Sequence, residues 1–142
     1  MFVAGEWRET VTTVPRPYVR AHVRAHDGSW VQAVFLVDTG ADCTVLAADV
    51  AAMLGLPLAP SARKLSGLGG AIETLEVQTT LRLISTDGSR MNLVGSYATS
   101  DDPAVHESIL GYDALRRFAV IVDEANDLVC LINPPHRYTI TG

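Results

Sequence analysis

The residues best suited to chemistry lie in one segment, 35-FLVDTGADCTVL-46. Asp38, Thr39 and Gly40 interrupt an apolar run, where an ionised carboxylate away from water is expensive. Asp38 therefore marks either a surface turn or a place where the chain bears that cost for catalysis. A carboxylate can act as a general acid or base, and hydrolysis run by carboxylates needs two of them close together, one accepting a proton from water while the other donates. Two like charges so near cannot both ionise, so the pair holds a single proton over a wide pH range and titrates as a unit. The chain contains one Asp-Thr-Gly. A symmetric dimer is one way to supply the second carboxylate, by placing Asp38 beside its own copy.

The elements that must position Asp38 follow from periodicity and turn residues. Tyr18–Arg24 alternates in period two and reads as a strand, and 26-HDGS-29 supplies an Asp-Gly turn into a second strand, Trp30–Val37. The later half of that strand, AVFLV, is apolar on both faces and belongs inside a sheet or sandwich, so Asp38 sits where a buried strand stops. Thr44–Leu46 reads as a short strand, and Asp49–Leu54 as a helix stopped by Gly55 with Pro57 beyond. The Gly-rich stretch 62-ARKLSGLGGAIETL-75 predicts a flexible hairpin. Leu75–Ile84 and Met91–Thr99 are strands joined by a second Asp-Gly turn, 85-STDGS-89. Asp101-Asp102-Pro103 is a loop, Ile109–Gly111 leads into a helix over Tyr112–Phe118, and Ala119–Val122 with Leu128–Ile132 makes a terminal hairpin. The expected class is all-β, a barrel or sandwich with two small helices. One domain is expected over residues 18–133, with an extended lead-in at 1–17, where Pro15 and Pro17 discourage regular structure, and a tail at 134–142.

Composition narrows the partners. At 142 residues, 48% hydrophobic and 19% charged, the chain has the make-up of a soluble globular domain. Its net charge is −5, and its basic residues cluster no further than Arg63-Lys64 and Arg116-Arg117, which argues against nucleic acid and anionic membrane surfaces. The apolar runs are too short to span a bilayer. Glu6 stands where a secretory h-region would continue, so a cytoplasmic location is the default expectation. Cys43 and Cys130 show no metal or redox spacing and read as small buried thiols. The four histidines form no ligand pattern, so no metal and no cofactor is expected.

Alone, Asp-Thr-Gly is weak evidence, arising by chance in roughly a few per cent of chains this long. Here hydrophobics precede it, Gly40-Ala41-Asp42 follows it, 66-SGLGGAI-72 comes downstream, and 109-ILGYDAL-115 follows later. Together these segments resemble the retropepsin-like aspartic proteases, single-lobe homodimeric relatives of pepsin, over roughly residues 18 to 132. The resemblance implies a closed β barrel, one catalytic Asp per subunit, a mobile hairpin over the cleft and a site completed only by dimerisation. It implies an aspartic endopeptidase whose partners are a second copy of itself and a peptide or protein substrate.

The same resemblance gives expected roles. Asp38 would meet its copy on the two-fold axis, Thr39 would send its hydroxyl across that axis, and Gly40 would hold a carboxylate through its N–H. Ala41 and Asp42 would bind substrate backbone. Gly67, Leu68, Gly69 and Gly70 would form the hairpin that closes over an extended peptide. Val105 and His106, in the loop Ser100–Ser108, would line apolar substrate pockets. Ile109–Leu115 would cross beneath the active loop and support it by packing. Without the resemblance, Thr39 and Asp42 fit an ordinary solvated turn and the glycines a surface loop. There is one departure: retroviral enzymes typically carry Arg where this chain has Tyr112, so Asp42 lacks its expected cation, for which Arg116 or Arg117 could substitute. The pattern is closer to cellular retropepsin-like domains, including those of ubiquitin-shuttle proteins and bacterial homologues. Residues 119–132, together with 1–17, are the candidates for an intersubunit sheet. The alternative is a non-catalytic dimeric peptide-binding or scaffold domain of the same fold, which would gain nothing from a costly like-charge pair. An unrelated β domain is the third reading.

Overall fold

Strands of alternating burial build nearly the whole molecule. The computed structural model describes residues 1–9, 14–67 and 70–142, with 63–67 and 70 described by backbone alone. Two three-residue strands, β1 (Phe2–Ala4) and β2 (Glu6–Arg8), lie within the lead-in. β3 (Arg16–Arg24) and β4 (Trp30–Val37) form an antiparallel hairpin, with Val19, Ala21 and Val23 turned into the core and Arg20 and Arg24 turned outward. β3 starts at Arg16, before the Tyr18 expected, and includes Pro17. Pro17 lies opposite Trp7 of the short flanking strand β2, a position where a missing N–H is tolerated.

α1 (Ala48–Leu54) ends at Gly55, in agreement with the stop read there. Thr44–Leu46, expected as a strand, makes only isolated bridges from Val45 to Ala98 and Ile109, because the chain passes between two strands without running along either. β5 (Ala59–Gly67) and β6 (Gly70–Ile84) form the Gly-rich hairpin, with Gly67 opposite Gly70. Leu68 and Gly69 lie outside the described residues. β7 (Arg90–Thr99) pairs with β6 along its whole length. β8 (Ser108–Leu110) and α2 (Tyr112–Leu115) follow. α2 is shorter than the Tyr112–Phe118 expected: the N–H groups of Arg117 and Phe118 turn back on Ala114 and Leu115, which swings Phe118 into the core before β9 (Ala119–Asp123) begins. β9 and β10 (Leu128–Ile132) close the chain as a hairpin.

The small sheet runs β1-β10-β9. The large sheet runs β5-β6-β3-β4-β8, with β2 against β3 and β7 against β6. All these pairings are antiparallel except β4–β8, which is parallel. One core joins both sheets: Val3, Val129 and Leu131 from the small sheet pack with Val19, Phe35, Leu81, Leu110 and Leu115. Each such side chain contributes about 1.5–3 kcal/mol on burial. Among the described residues no helix is long and apolar enough to cross a membrane.

Candidate active site

The parallel pair β4–β8 sets the position of Asp38. Val37 lies opposite Leu110, and the Asp38 N–H donates to the Leu110 carbonyl at 3.2 Å, so the ladder carries one step past the apolar run and stops. Asp38 is half-buried there. Its Oδ1 accepts the Gly40 N–H at 2.9 Å, and its carbonyl accepts the Ala41 N–H at 3.3 Å, which turns the chain sharply. Ala41 is half-buried, while Thr39, Gly40 and Asp42 are exposed.

A second layer fixes this turn from behind. The Tyr112 N–H donates to the Ala41 carbonyl at 2.7 Å and the Asp113 N–H to the Asp42 carbonyl at 3.3 Å. Thr44 is fully buried. Its hydroxyl donates to Asp113 Oδ1 at 2.7 Å and accepts the Gly111 N–H at 3.1 Å, while its own N–H donates to Asp113 Oδ2 at 3.0 Å. The Ala114 N–H also reaches Asp113 Oδ1, at 2.8 Å. A carboxylate with this many donors is fully satisfied, and such charge-assisted bonds are about twice as strong as neutral ones. Gly111 is required by contact: a Cβ there would stand 2.5 Å from both the carbonyl carbon and the oxygen of Cys43. The support expected from Ile109–Leu115 therefore has two components. Leu110, Ala114 and Leu115 are buried, and Asp113 adds a polar clamp on the active loop.

Thr44 and Asp113 were not among the residues singled out from the sequence. The available signal was a lone carboxylate inside the otherwise apolar ILGYDAL, together with a threonine in the apolar run after Asp42. Nearby, Tyr97 is held neutral, its hydroxyl pushed up to about 12 first by burial and then by the Asp113 charge, with Arg117 opposing. That hydroxyl donates to the Leu93 carbonyl.

The remaining candidates stand on separate elements. The Val105 N–H donates to Asp102 at 2.9 Å, and the Val105 carbonyl accepts the Ala48 N–H at 3.0 Å, which ties this loop to the start of α1. Val105 is half-buried, and His106 is exposed with Nδ1 3.0 Å from the Ala104 carbonyl. The neighbouring Glu107 takes the Tyr18 hydroxyl and, at 3.2 Å, the Arg16 guanidinium. Among the described residues Asp42 has no ion pair, and neither Arg116 nor Arg117, both exposed, supplies one. Cys43 and Cys130 are free thiols, Cys130 buried and Cys43 half-buried. No three or more His, Cys, Asp or Glu side chains among the described residues are arranged to hold a metal.

With this geometry in place, comparison with known proteins is decisive at the family level. The family model described as aspartyl protease matches residues 22–114, which run from β3 through the Asp38 turn to α2. The chain belongs to the aspartyl protease family. A retropepsin-like aspartic protease from Rickettsia conorii superposes with a TM-score of 0.56 at 19% identity, covering 92% of this chain and 88% of that one. The EIAV protease, in complex with an inhibitor, superposes with a TM-score of 0.53 at 23% identity, covering 76% of this chain and 92% of that one. No curated protein sequence matches the chain. At these identities the likeness is one of fold, and the fold of this aspartyl-protease family member is retropepsin-like.

Proposed function

We propose that the protein is an aspartic endopeptidase whose active site forms when two copies pair about a two-fold axis. A water molecule is held between the two Asp38 carboxylates. The ionised one accepts a proton from the water as its oxygen attacks the peptide carbonyl carbon, and the protonated one donates to the carbonyl oxygen. The tetrahedral intermediate then collapses with proton transfer to the leaving nitrogen. The Gly40 N–H steadies one carboxylate oxygen, and Thr39 links the two active loops across the axis. Ala41 and Asp42 bind substrate backbone, the Gly67–Gly70 hairpin folds over the peptide and excludes water, and Val105 and His106 line the pockets.

The observation that carries this reading is a half-buried Asp38 at the end of a buried strand, in an intact Asp-Thr-Gly whose turn is clamped by Tyr112, Asp113 and Thr44. A lone carboxylate so mounted is half of a catalytic pair. The outer strands of the small sheet, β1 and β9, are the candidate surfaces for joining the subunits. A cytoplasmic location belongs to the same proposal, and two unpaired thiols fit a reducing compartment.

The test is specific activity against enzyme concentration, read beside sedimentation of the same samples. Activity should fall as the dimer dissociates, and a statine-type peptide, which mimics the tetrahedral intermediate, should block it. Activity that stays proportional to concentration well below the dimer dissociation constant would overturn the shared site. A dimer that binds peptide yet cleaves none at acid or neutral pH would favour the scaffold alternative.

A further inference from the structure

The outward face of β4, β3, β6 and β7 carries a cluster of arginines beside the exposed apolar side chains of Ile84 and Val94. The register sets Arg24 opposite Trp30 and His22 opposite both Gln32 and Arg82, with Asn92 beyond Arg82 and Arg90 opposite Ile84. Arg20, Arg24, Arg82 and Arg90 thus share one face of a chain that holds 16 acidic against 11 basic residues. The Arg82 guanidinium lies 3.9 Å from the Trp30 ring centroid and the Arg24 guanidinium 5.5 Å from it. Arg82 Nε also donates to Asn92 Oδ1 at 2.9 Å. Only Arg20 has an acidic partner among the described residues, Glu6 at 3.3 Å. Asp27 and Asp87, in the turns at the margins of this face, have their carboxylates engaged by Ser29 and Ser89.

We propose that this face is a docking surface for an acidic, extended segment of a partner protein. Charge complementarity is the first argument: Arg24, Arg82 and Arg90 form no ion pair among the described residues. The second is preorganisation. Cation–π contact with Trp30 holds two guanidinium groups near one another before any partner arrives, and it leaves most of their N–H donors free for carboxylate contacts. The third argument separates peptide from nucleic acid. Base stacking needs an open aromatic face, and guanidinium groups already lie against the Trp30 ring. Trp30 opens β4 and Asp38 follows its end, a run of roughly 25 Å at strand rise. A segment docked here sits away from Asp38, so the inference stands independently of the proposed catalysis.

The probe is a fluorescein-labelled ten-residue glutamate peptide, titrated with the full chain and read by anisotropy at about 0.05 M and about 0.3 M salt. Binding should be present at low salt and weaken at high salt. Arg24→Gln combined with Arg82→Gln should weaken it about tenfold, and Asp38→Asn should leave it unchanged. The Arg90 side chain makes no hydrogen bond or ion pair among the described residues, so Arg90→Gln should fold normally and weaken binding about threefold. That variant decides the matter if the double variant does not fold. No binding at low salt, equal binding by Arg90→Gln, loss of binding in Asp38→Asn, or tighter binding of a ten-nucleotide oligo-dT would each overturn the proposal.

Discussion

Four aspartates among the described residues close the same small ring: one is Asp102, with the Ala104 N–H at 2.9 Å, and the other three make the comparison. Asp27 in the β3–β4 turn, Asp87 in the β6–β7 turn and Asp38 after β4 each accept, at Oδ1, the N–H of the residue two places on, at 2.9, 3.0 and 2.9 Å. In the two hairpin turns that residue is a serine, whose hydroxyl adds a second bond to the same oxygen at 2.6 and 2.7 Å. Both of these carboxylates sit in open solvent, held below the ordinary 3.8 first by the serine hydroxyl and then by its backbone N–H. At Asp38 the residue is Gly40, so no hydroxyl competes, and the second carboxylate oxygen has no partner among the described residues. The ring itself is ordinary turn chemistry. Asp38 differs in its mounting: a buried strand leads into it and a clamp lies behind it.

The sharpest way to break this comparison is to make the same change in both settings. Asp38→Asn should reduce peptide cleavage about a thousandfold while the fold and self-association remain, since it removes the only carboxylate each subunit gives to the reaction. Cleavage assays with sedimentation on the same preparation check both halves. Retained cleavage would place the chemistry elsewhere. Next in size is the clamp. Asp113→Ala strands the Thr44 N–H and takes the acceptor from the Thr44 hydroxyl, both buried, and should cost about 3 kcal/mol of stability. Activity per folded molecule should fall about a hundredfold as the Asp38 turn loses its position, with Asp113→Asn recovering part of both. Denaturant midpoints and kcat separate the two effects. Lost stability with undiminished kcat would mean that the clamp supports the fold alone.

What could be read from the chain beforehand follows the same division. Trp30–Val37 was legible to the residue, because AVFLV leaves no other home than a buried strand and the Asp-Gly turn sets its start. Gly55 marked the end of α1 for an equally local reason. Thr44–Leu46 was not legible, since its partners Ala98 and Ile109 are far away in sequence and meet it only as isolated bridges at Val45, with Ala98 bonded to Thr44 and Leu46 on either side. The clamp escaped for that reason too. Nothing near Asp113 in the chain says that its carboxylate meets Thr44 across 69 positions. Periodicity and turn residues report local physics, and the resemblance in ILGYDAL reported only that the segment packs. The strands of the lead-in also depend on distant partners, β1 on β10 and β2 on β3.

A smaller effect comes from making the active turn resemble the hairpin turns. A Cβ at Gly40 would lie 3.3 Å from Asp38 Oδ1, close enough to press on the carboxylate but not to break the fold. Gly40→Ser adds, besides that crowding, a hydroxyl able to hold the carboxylate as Ser29 holds that of Asp27. The expected result is a drop in kcat of about tenfold with an unchanged Tm. An unaffected kcat would show that the third position of the ring does not distinguish a working carboxylate from a structural one.

The smallest effect is the reverse control, Asp27→Asn. In the folded chain the Asp27 carboxylate lies below 3.8, so its ionised form favours folding fully above that pH. This contribution disappears as pH falls through the depressed folded value. The variant should therefore melt slightly lower than the parent at neutral pH, and the gap should close as the solution is acidified below about 3.8. Cleavage should not change, because the ring at Asp27 lies at the far end of β4 from Asp38. Thermal melts across acid and neutral pH, with kcat at the optimum, measure both. A gap that widened in acid, or a fall in kcat, would mean that the hairpin turn is coupled to the site, and the two settings of the same ring could no longer be treated as separate.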